Sequence, residues 1–209
     1  MEGLNTPFSL GHARWRYFLS DQLLAQVFTR NAYEQLQISP TIHIEELFRR
    51  ADHRSPVNQG LYVDVKSYLV DNCLVKMDRM SMAASLEARV PLLDKELVEL
   101  AFQIPDDLKV NGAKTKVLLK NVAARHVPQK CVYRPKEGFS IPIKNWLAKE
   151  LRPLMDDLLS KDRLRRQGIF EVQTLEKLKA EHLSNTANHS HILWALMIFE
   201  AWHDLWLKG

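Results

Sequence analysis

Basic side chains are concentrated between residues 109 and 144 of this chain. The segment holds nine lysines and arginines and one acid, Glu137, so its net charge is +8 in a chain whose total is +4. The basic residues are Lys109, Lys114, Lys116, Lys120, Arg125, Lys130, Arg134, Lys136 and Lys144. Cations at this density predict an anionic ligand, either the phosphates of a nucleotide or a nucleic-acid backbone.

Two pairs of opposite charges precede this segment. Glu87 and Arg89 stand two residues apart just before Pro91, where they can pair across a turn and hold a site together. The alternative is a buried structural ion pair, which is the preferred interpretation for Arg89. Asp78 and Arg79 are adjacent, and we expect them to form a buried pair that ties their helix to a neighbour.

The sequence predicts no metal site. His189 and His191 are two residues apart and so lie on different sides of a helix, and no acidic residue has ligand spacing to them or to His203. The two cysteines, Cys73 and Cys131, exclude a disulfide framework and a Cys-rich zinc site. Both are predicted to be buried as small hydrophobic residues in a reducing compartment.

Apolar residues recur at helical spacing along most of the chain, and no segment has a convincing strand period. Helices are predicted over residues 14–29, 44–51, 63–74, 81–87, 95–103, 114–126, 145–159, 171–183 and 190–207. Residues 55–60 are predicted to form a loop, and residues 129–142 an irregular segment broken by prolines and a glycine. Asp94 is predicted to cap the helix that follows it. The fold class is therefore mainly α.

The bulk composition is that of a globular chain. Its 209 residues are 46% hydrophobic and 26% charged, enough for one domain with a core. The N-terminus lacks an apolar stretch of signal-peptide length, and the most apolar stretch, residues 192–207, is shorter than the ~20 residues of a membrane span. We therefore expect a cytoplasmic protein. The three methionines Met77, Met80 and Met82 are predicted to fill a core, and residues 190–207 to be buried here or against a larger assembly.

Three blocks of sequence carry a resemblance to a known family. They are LVDNCLVKMDRMSMAASLEARVPLLD (69–94), NGAKTKVLLK (111–120) and VPQKCVYRPKEGFSIPIKNWL (127–147). In this order they resemble the C-terminal part of the synthetase domain of glutamine-dependent asparagine synthetases, a domain that also occurs in β-lactam synthetase. The resemblance extends over residues 1–209, with its best-matching core at 58–147 and a helical tail at 148–209. It implies the helical C-terminal portion of an adenine-nucleotide α-hydrolase-like synthetase domain.

The resemblance implies an activity and candidate site residues. The activity is that of an ATP-dependent ligase in asparagine biosynthesis, which adenylates a carboxylate such as aspartate and transfers ammonia from glutamine. ATP and Mg²⁺ are implied as cofactors. Phosphate-contacting lysines of the family fall at Lys116 and Lys136, which are candidates for catalysis and for ATP binding. Glu87 matches a position near the reaction centre and is a third catalytic candidate, and Arg79 is a further candidate for ATP binding.

The sequence also suggests how the two lysines reach a phosphate. Lys116 is expected at the start of a helix after the Gly112 turn, where the positive end of the helix acts on the same anion. Lys136 lies between Pro135 and Gly138, in a loop that can approach a ligand closely. The other lysines considered are interpreted as solvated side chains: Lys120, Lys130 and Lys144.

The chain lacks two motifs of the same family. These are the Ser-Gly-Gly-x-Asp-Ser loop that holds ATP and the Gly-Glu-Gly-Ser-Asp-Glu type of segment that supplies acids for magnesium. It also lacks the N-terminal cysteine nucleophile for glutamine hydrolysis, since Glu2 follows Met1. We therefore expect a fragment, a separated domain or a truncated gene product whose partners are the missing N-terminal synthetase and glutaminase parts.

Two other functions stay open at this point. The chain could be a truncated remnant without catalysis that serves as a helical interaction module and docks on a separate chain carrying the ATP loop. It could also be a basic nucleic-acid binder, but it has no groove-reading motif, and only Tyr133 and Phe139 are available for base stacking. Neither a nucleic acid nor a membrane is expected as a partner.

Overall fold

The computed structural model describes residues 7–13, 21–36, 39, 41–135 and 141–207. The described chain is mainly α, as the sequence predicts, and contains one antiparallel pair of two-residue strands. It divides into two units, the first formed by residues 1–12 and 40–137 and the second by residues 13–39 and 138–209.

Most helices are short and are joined by short connecting segments. Up to the hairpin they are α1 (Phe8–Ala13), α2 (Asp21–Val27), α3 (Arg30–Glu34), α4 (Ile42–Arg50), α5 (Pro56–Asp64), a π-helical continuation (Val65–Leu74), α6 (Val75–Ala83), a 3₁₀ turn (Pro91–Leu93), α7 (Lys95–Gln103) and α8 (Asp106–Lys109). Then come β1 (Val110–Asn111), β2 (Lys114–Thr115), α9 (Val117–Ala123), α10 (Gln129–Val132), α11 (Ile143–Ala148), α12 (Arg152–Leu158), α13 (Lys161–Gln167), α14 (Val172–Leu183) and α15 (Ser190–Trp206).

The first unit has a small core at its beginning. Ile44, Leu47 and Phe48 of α4 are buried, and the ring of Phe48 meets Phe8 edge to face at 5.5 Å. Edge-to-face packing of this kind is a favoured aromatic geometry. Nearby, His12 Nε2 lies 2.7 Å from Asp64 Oδ1.

Beyond Ser67, the described part of the first unit has no buried side chain. From residue 68 to residue 135 every position is at least partly exposed, although the segment is rich in leucine, valine and methionine. Met77, Met80 and Met82 are 53%, 65% and 55% exposed. The prediction that these methionines fill a core is therefore wrong for the structure described, in which their side chains are largely exposed.

The second unit has a continuous apolar core. Its buried residues are Val27, Ile143, Leu147, Met155, Leu158, Leu159, Leu164, Phe170, Leu175, Leu178, Leu193, Leu196 and Met197. A bridge between Phe28 and Phe170 ties the end of α2 to the start of α14, with the two rings 5.1 Å apart. The buried residues of α15 lie between Ser190 and Glu200, and Leu205 and Trp206 near its end are over 70% exposed.

One charged cluster is built into the second unit. Arg163 of α13 donates from Nε to Oε2 of Glu200 at 2.6 Å, and from Nη2 to the carboxylate of Asp204. Glu200 is fully buried in α15, and Gln167 also donates to its Oε2 at 2.9 Å. Burial alone would lower the pKa of Arg163, but the bonds to Glu200 and Asp204 raise it. The cluster ties α13 to α15 by charge, in addition to the apolar core that Leu164 of α13 shares with α15.

Several predicted helices differ from the observed ones. Residues 55–60 are not a loop but the first half of α5, because Ser55 caps it by accepting from Asn58 N and Pro56 occupies its first turn. The helix predicted at 81–87 ends instead at Ala83, and Ser85 has a φ of 55°. The helix predicted over 145–159 is split into α11 and α12, and that over 114–126 begins only at Val117.

Other predictions are confirmed or lie outside the described chain. Helix α7 has the predicted bounds, and Asp94 caps it by accepting from the backbone N–H of Glu96 and Leu97. Residues 14–20 of the first predicted helix lie outside the described residues. Among the described residues, no helix combines the length and the hydropathy that crossing a membrane requires.

Candidate anion-binding site

The hairpin of β1 and β2 leads directly into the candidate site. Val110 pairs with Thr115 and Asn111 with Lys114, and Gly112 turns the chain with a φ of 57°. A side chain on Gly112 would meet no atom within 4 Å, so the backbone conformation and not lack of space calls for glycine here. Lys116 follows β2 and precedes α9, as the sequence predicts.

Lys116 has an unusual backbone conformation. Its φ of 57° and ψ of 39° lie in the left-handed region, which costs a lysine roughly 1–2 kcal/mol. Its carbonyl nevertheless accepts the first hydrogen bond of α9, from Lys120 N at 2.9 Å. A strained residue of this kind persists only where the structure on both sides holds it, and such residues cluster at ligand sites.

Lys116 lines a surface cavity of about 470 Å³ in the first unit. The other lining residues are Thr115, Leu119, Lys120, Ala123, Val127, Cys131, Val132, Arg134 and Pro135. The lining combines apolar side chains with three cations, Lys116, Lys120 and Arg134. Within the part of the chain that the structure describes, none of the three forms an ion pair with a carboxylate. Unpaired ammonium and guanidinium groups beside an apolar wall suit an anionic ligand with an organic part.

The structure shows Lys120 in a different setting from the one predicted. Lys120 of α9 lines the same cavity as Lys116, which precedes that helix, so Lys120 joins the cavity instead of facing only solvent. Arg134 was not singled out from the sequence either. The available signal for both was the density of basic residues between residues 109 and 144. Lys136 lies outside the described residues and directly follows Pro135, which lines the cavity.

The acidic candidates do not join this cavity. Glu87 Oε1 lies 2.6 Å from Arg89 Nη2, so the predicted pair across the turn is present. Both side chains are largely exposed, and the alternative of a buried pair is wrong. Arg79 Nη1 lies 3.9 Å from Asp78 Oδ2, and both side chains are exposed, so the prediction of a buried pair is wrong here too. Neither Glu87 nor Arg79 lines the cavity.

The cysteine and histidine predictions have mixed outcomes. Cys73 is partly buried, but Cys131 is exposed and lines the cavity, so its predicted burial is wrong. His189 Nε2 lies 2.7 Å from Glu181 Oε2, a pairing that the sequence did not suggest. Among the described residues, no group of three or more His, Cys, Asp or Glu side chains could hold a metal ion.

The sequence of this chain is similar to those of asparagine synthetases. The asparagine synthase family profile matches residues 5–204. An asparagine synthetase (glutamine-hydrolysing) of Bacillus subtilis is 30% identical over 87% of this chain, and a putative asparagine synthetase of Mycobacterium tuberculosis is 32% identical over 73%. The bovine asparagine synthetase is 34% identical over 35% of the chain. No solved structure matches the chain.

The relatives are much longer than this chain. The match spans only 29% of the Bacillus subtilis protein and 23% of the Mycobacterium tuberculosis protein. Because the family profile nevertheless covers nearly the whole sequence, including the hairpin and the cationic cavity, the chain belongs to the asparagine synthase family.

Proposed function

We propose that this chain supplies the cationic part of the active site in an ATP-dependent amide-forming ligase. The ligase would adenylate a carboxylate, with aspartate as the expected substrate, and transfer ammonia from glutamine to make asparagine. The observation that carries the proposal is the cavity in which Lys116, Lys120 and Arg134 meet without carboxylate partners among the described residues. The names of the relatives, glutamine-hydrolysing asparagine synthetases, support the choice of reaction.

The chemistry explains why cations are needed. A carboxylate oxygen attacks the α-phosphorus of ATP, the bond to pyrophosphate breaks, and pyrophosphate leaves. Ammonia then attacks the acyl carbon and AMP leaves, which forms the amide. Negative charge grows on the phosphate oxygens during the first step, so fixed cations aimed at these oxygens lower its barrier. Lys116 and Lys136 would serve there as catalytic groups, with Lys120 and Arg134 as further anion contacts.

Magnesium is the implied metal, but the described residues do not fit it. A magnesium site needs oxygen ligands, chiefly carboxylates, beside the phosphates. The cavity lining contains no aspartate or glutamate, and the described residues hold no group of three candidate ligands. We therefore assign no step to a metal held by this chain.

The proposal includes a large partner. Residues 68–135 have no buried side chain, and they expose Leu86, Leu92 and Met80 by more than 60%. Soluble monomers rarely expose apolar patches of this extent, and larger ones mark interaction sites. The relatives are more than three times as long as the matched segment. We assign the exposed face to the remainder of a synthetase, which would also bring acidic residues and the ATP loop. Glu87 and Arg79 would face that partner.

The test uses a polypeptide that carries this segment together with a Ser-Gly-Gly-x-Asp-Ser loop, fused or co-expressed. Pyrophosphate release that depends on both ATP and aspartate would be measured in the pre-steady state. Lys136→Ala and Lys116→Ala should each lower the rate by about 10²–10³, with a smaller effect on the Michaelis constant for ATP. Lys144→Ala, which removes an equal charge from α11, serves as the control and should be nearly silent.

Two outcomes would contradict this function. If Lys116→Ala and Lys136→Ala keep wild-type turnover, the lysines are not catalytic. If Lys144→Ala lowers the rate of pyrophosphate release as much as these two variants do, the basic segment acts through its overall positive charge, and the assignment of individual lysines to a site is wrong.

A second candidate function is a non-catalytic interaction module. The observation that favours it is the exposure of Met77, Met80 and Met82, since flexible methionine side chains suit surfaces that adapt to a partner. This alternative predicts that a partner synthetase binds the chain and that Lys116→Ala has no effect on turnover of the complex.

A further inference from the structure

We propose that Lys109 and Asn58 form a clamp that positions Lys116 in the anion-binding cavity. The inference rests on the proposed function in one respect, namely that Lys116 contacts the phosphates. Lys109 and Asn58 do not line the cavity themselves. They are therefore positioning residues and not catalytic ones.

The clamp is defined by three short contacts among α5, α7 and α8. Lys109 Nζ donates to Asn58 Oδ1 at 2.6 Å, and Asn58 Nδ2 donates to the carbonyl of Phe102 at 3.1 Å. Lys109 Nζ also reaches the same carbonyl at 3.5 Å and lies 6.0 Å from the centre of the Phe102 ring. Each group of the clamp thus contacts the other two, which fixes the direction of the lysine side chain.

The chemistry of the clamp is unusual for a lysine. Both of its hydrogen-bond acceptors are neutral, and partial burial lowers the pKa of Lys109, although Asp106 nearby acts in the opposite direction. A purely structural contact among three helices would be less costly with apolar side chains, because burying an ammonium group carries a desolvation penalty. A charged donor with fixed geometry is better suited to holding one backbone position.

The register of the hairpin shows which position is held. Val110 pairs with Thr115, and this is the last pair of the ladder on the side of α8 and α9. Lys109, the last residue of α8, directly precedes Val110, and Lys116, the residue before α9, directly follows Thr115. Fixing Lys109 against α5 and α7 therefore fixes the end of β1 that pairs with the neighbour of Lys116. This is the support that the left-handed conformation of Lys116 requires.

The test uses the 209-residue chain, with inorganic pyrophosphate as the probe. Calorimetry gives its affinity, and the backbone Cα and Cβ chemical shifts of Lys116 report the left-handed conformation independently of binding. Lys109→Met keeps the aliphatic stem on Phe102 but removes both hydrogen bonds. We expect it to shift the Lys116 resonances and to weaken pyrophosphate binding about tenfold. Asn58→Asp keeps the acceptor for Lys109 Nζ but loses the donor to the Phe102 carbonyl, so both readouts should change less than in Lys109→Met.

Two control variants separate positioning from other effects. Phe48→Ala removes a buried ring from α4 of the same unit, where the ring meets Phe8 edge to face at 5.5 Å. It should lower stability in urea but leave the Lys116 resonances and the affinity unchanged. Lys114→Met removes one exposed positive charge from the same hairpin and should change the affinity less than twofold.

The outcomes distinguish the clamp from the proposed function. Unchanged Lys116 resonances in Lys109→Met would overturn the clamp, and so would an equal loss of affinity in Lys114→Met. If wild-type chain does not bind pyrophosphate while Lys109→Met still shifts Lys116, the clamp stands and the phosphate role of Lys116 fails.

Discussion

At the scale of single residues, Lys116 lowers the stability of the fold through its backbone while its side chain serves ligand binding. Its left-handed backbone is strained for any residue with a side chain, yet its ammonium lines the cavity. Lys116→Gly should therefore unfold at no lower urea concentration than the wild type while losing affinity for pyrophosphate. Lys116→Val should cost more than about 1 kcal/mol, because β-branched residues tolerate a positive φ worst. Equal stability of the two variants would show that the backbone there is relaxed.

His182 makes the second unit sensitive to acid. The side chain is 2% exposed, and its Nδ1 accepts from the backbone N–H of His189 at 3.3 Å. Burial lowers the pKa of His182 more than a hydrogen bond to the Lys144 backbone raises it, and electrostatic interactions with His189 and Lys144 lower it further. The unfolded chain therefore takes up a proton at a higher pH than the folded one. The stability is complete above the unfolded value of about 6.5 and decreases as the pH falls toward the folded pKa.

The measurement for His182 is urea unfolding at several pH values between 7.5 and 5. His182→Asn keeps an acceptor for the His189 N–H but does not titrate, so its stability should depend less on pH than that of the wild type. The idea fails if both proteins lose stability in parallel over this range.

At the scale of elements, α13 and α15 depend on a buried charge. Arg163 is bound to the fully buried Glu200 and to Asp204, so removing the guanidinium leaves a buried carboxylate without its cation. Arg163→Met should lower the free energy of unfolding by about 3–5 kcal/mol. Arg165→Met is the matched control, since Arg165 is exposed and lies 3.8 Å from Asp162, and it should change stability by less than about 0.5 kcal/mol. A similar cost for both variants, by thermal or urea unfolding, would contradict the assignment.

The elements also show what periodicity can and cannot predict. Helices α7 and α15 were predictable because their apolar residues recur at helical spacing over two or more turns. The hairpin was missed because strands of two residues have no period to detect. Helix α5 could have been found from the Ser55–Pro56 start, a combination of cap and first-turn proline that outweighs the glycine within it.

The remaining misses depend on contacts between distant residues. Burial of Glu200 requires Arg163, which lies 37 residues away, and the tie between Lys109 and Asn58 spans 51 residues. No local pattern contains either pairing. The exposure of Cys131 and of the methionines could not be predicted, because their apolar character is the same whether this chain or a partner covers them.

At the scale of the whole molecule, the exposed segment at residues 68–135 should determine how the chain behaves alone. We expect it to bind a hydrophobic dye and to run as a mixture of species in size-exclusion chromatography. Met77→Gln combined with Met80→Gln should reduce dye binding without lowering the urea midpoint, since neither side chain is buried. Met155→Ala, in the core of the second unit, should instead lower the midpoint. A monodisperse wild-type monomer that binds no dye would argue that the segment needs no partner.

The rate at which the exposed thiol of Cys131 is alkylated can report whether the cavity is occupied. Its sulfur lies among the residues that line the site, beside Lys120 and Arg134, whereas Cys73 is partly buried and outside it. Alkylation by iodoacetamide should therefore be slower at Cys131 when pyrophosphate is present, while the rate at Cys73 stays constant. Peptide mass spectrometry of a time course measures both rates in one sample, so occupancy could be followed in mixtures where turnover is absent. Equal protection of the two thiols would indicate a change of the whole fold rather than a filled site.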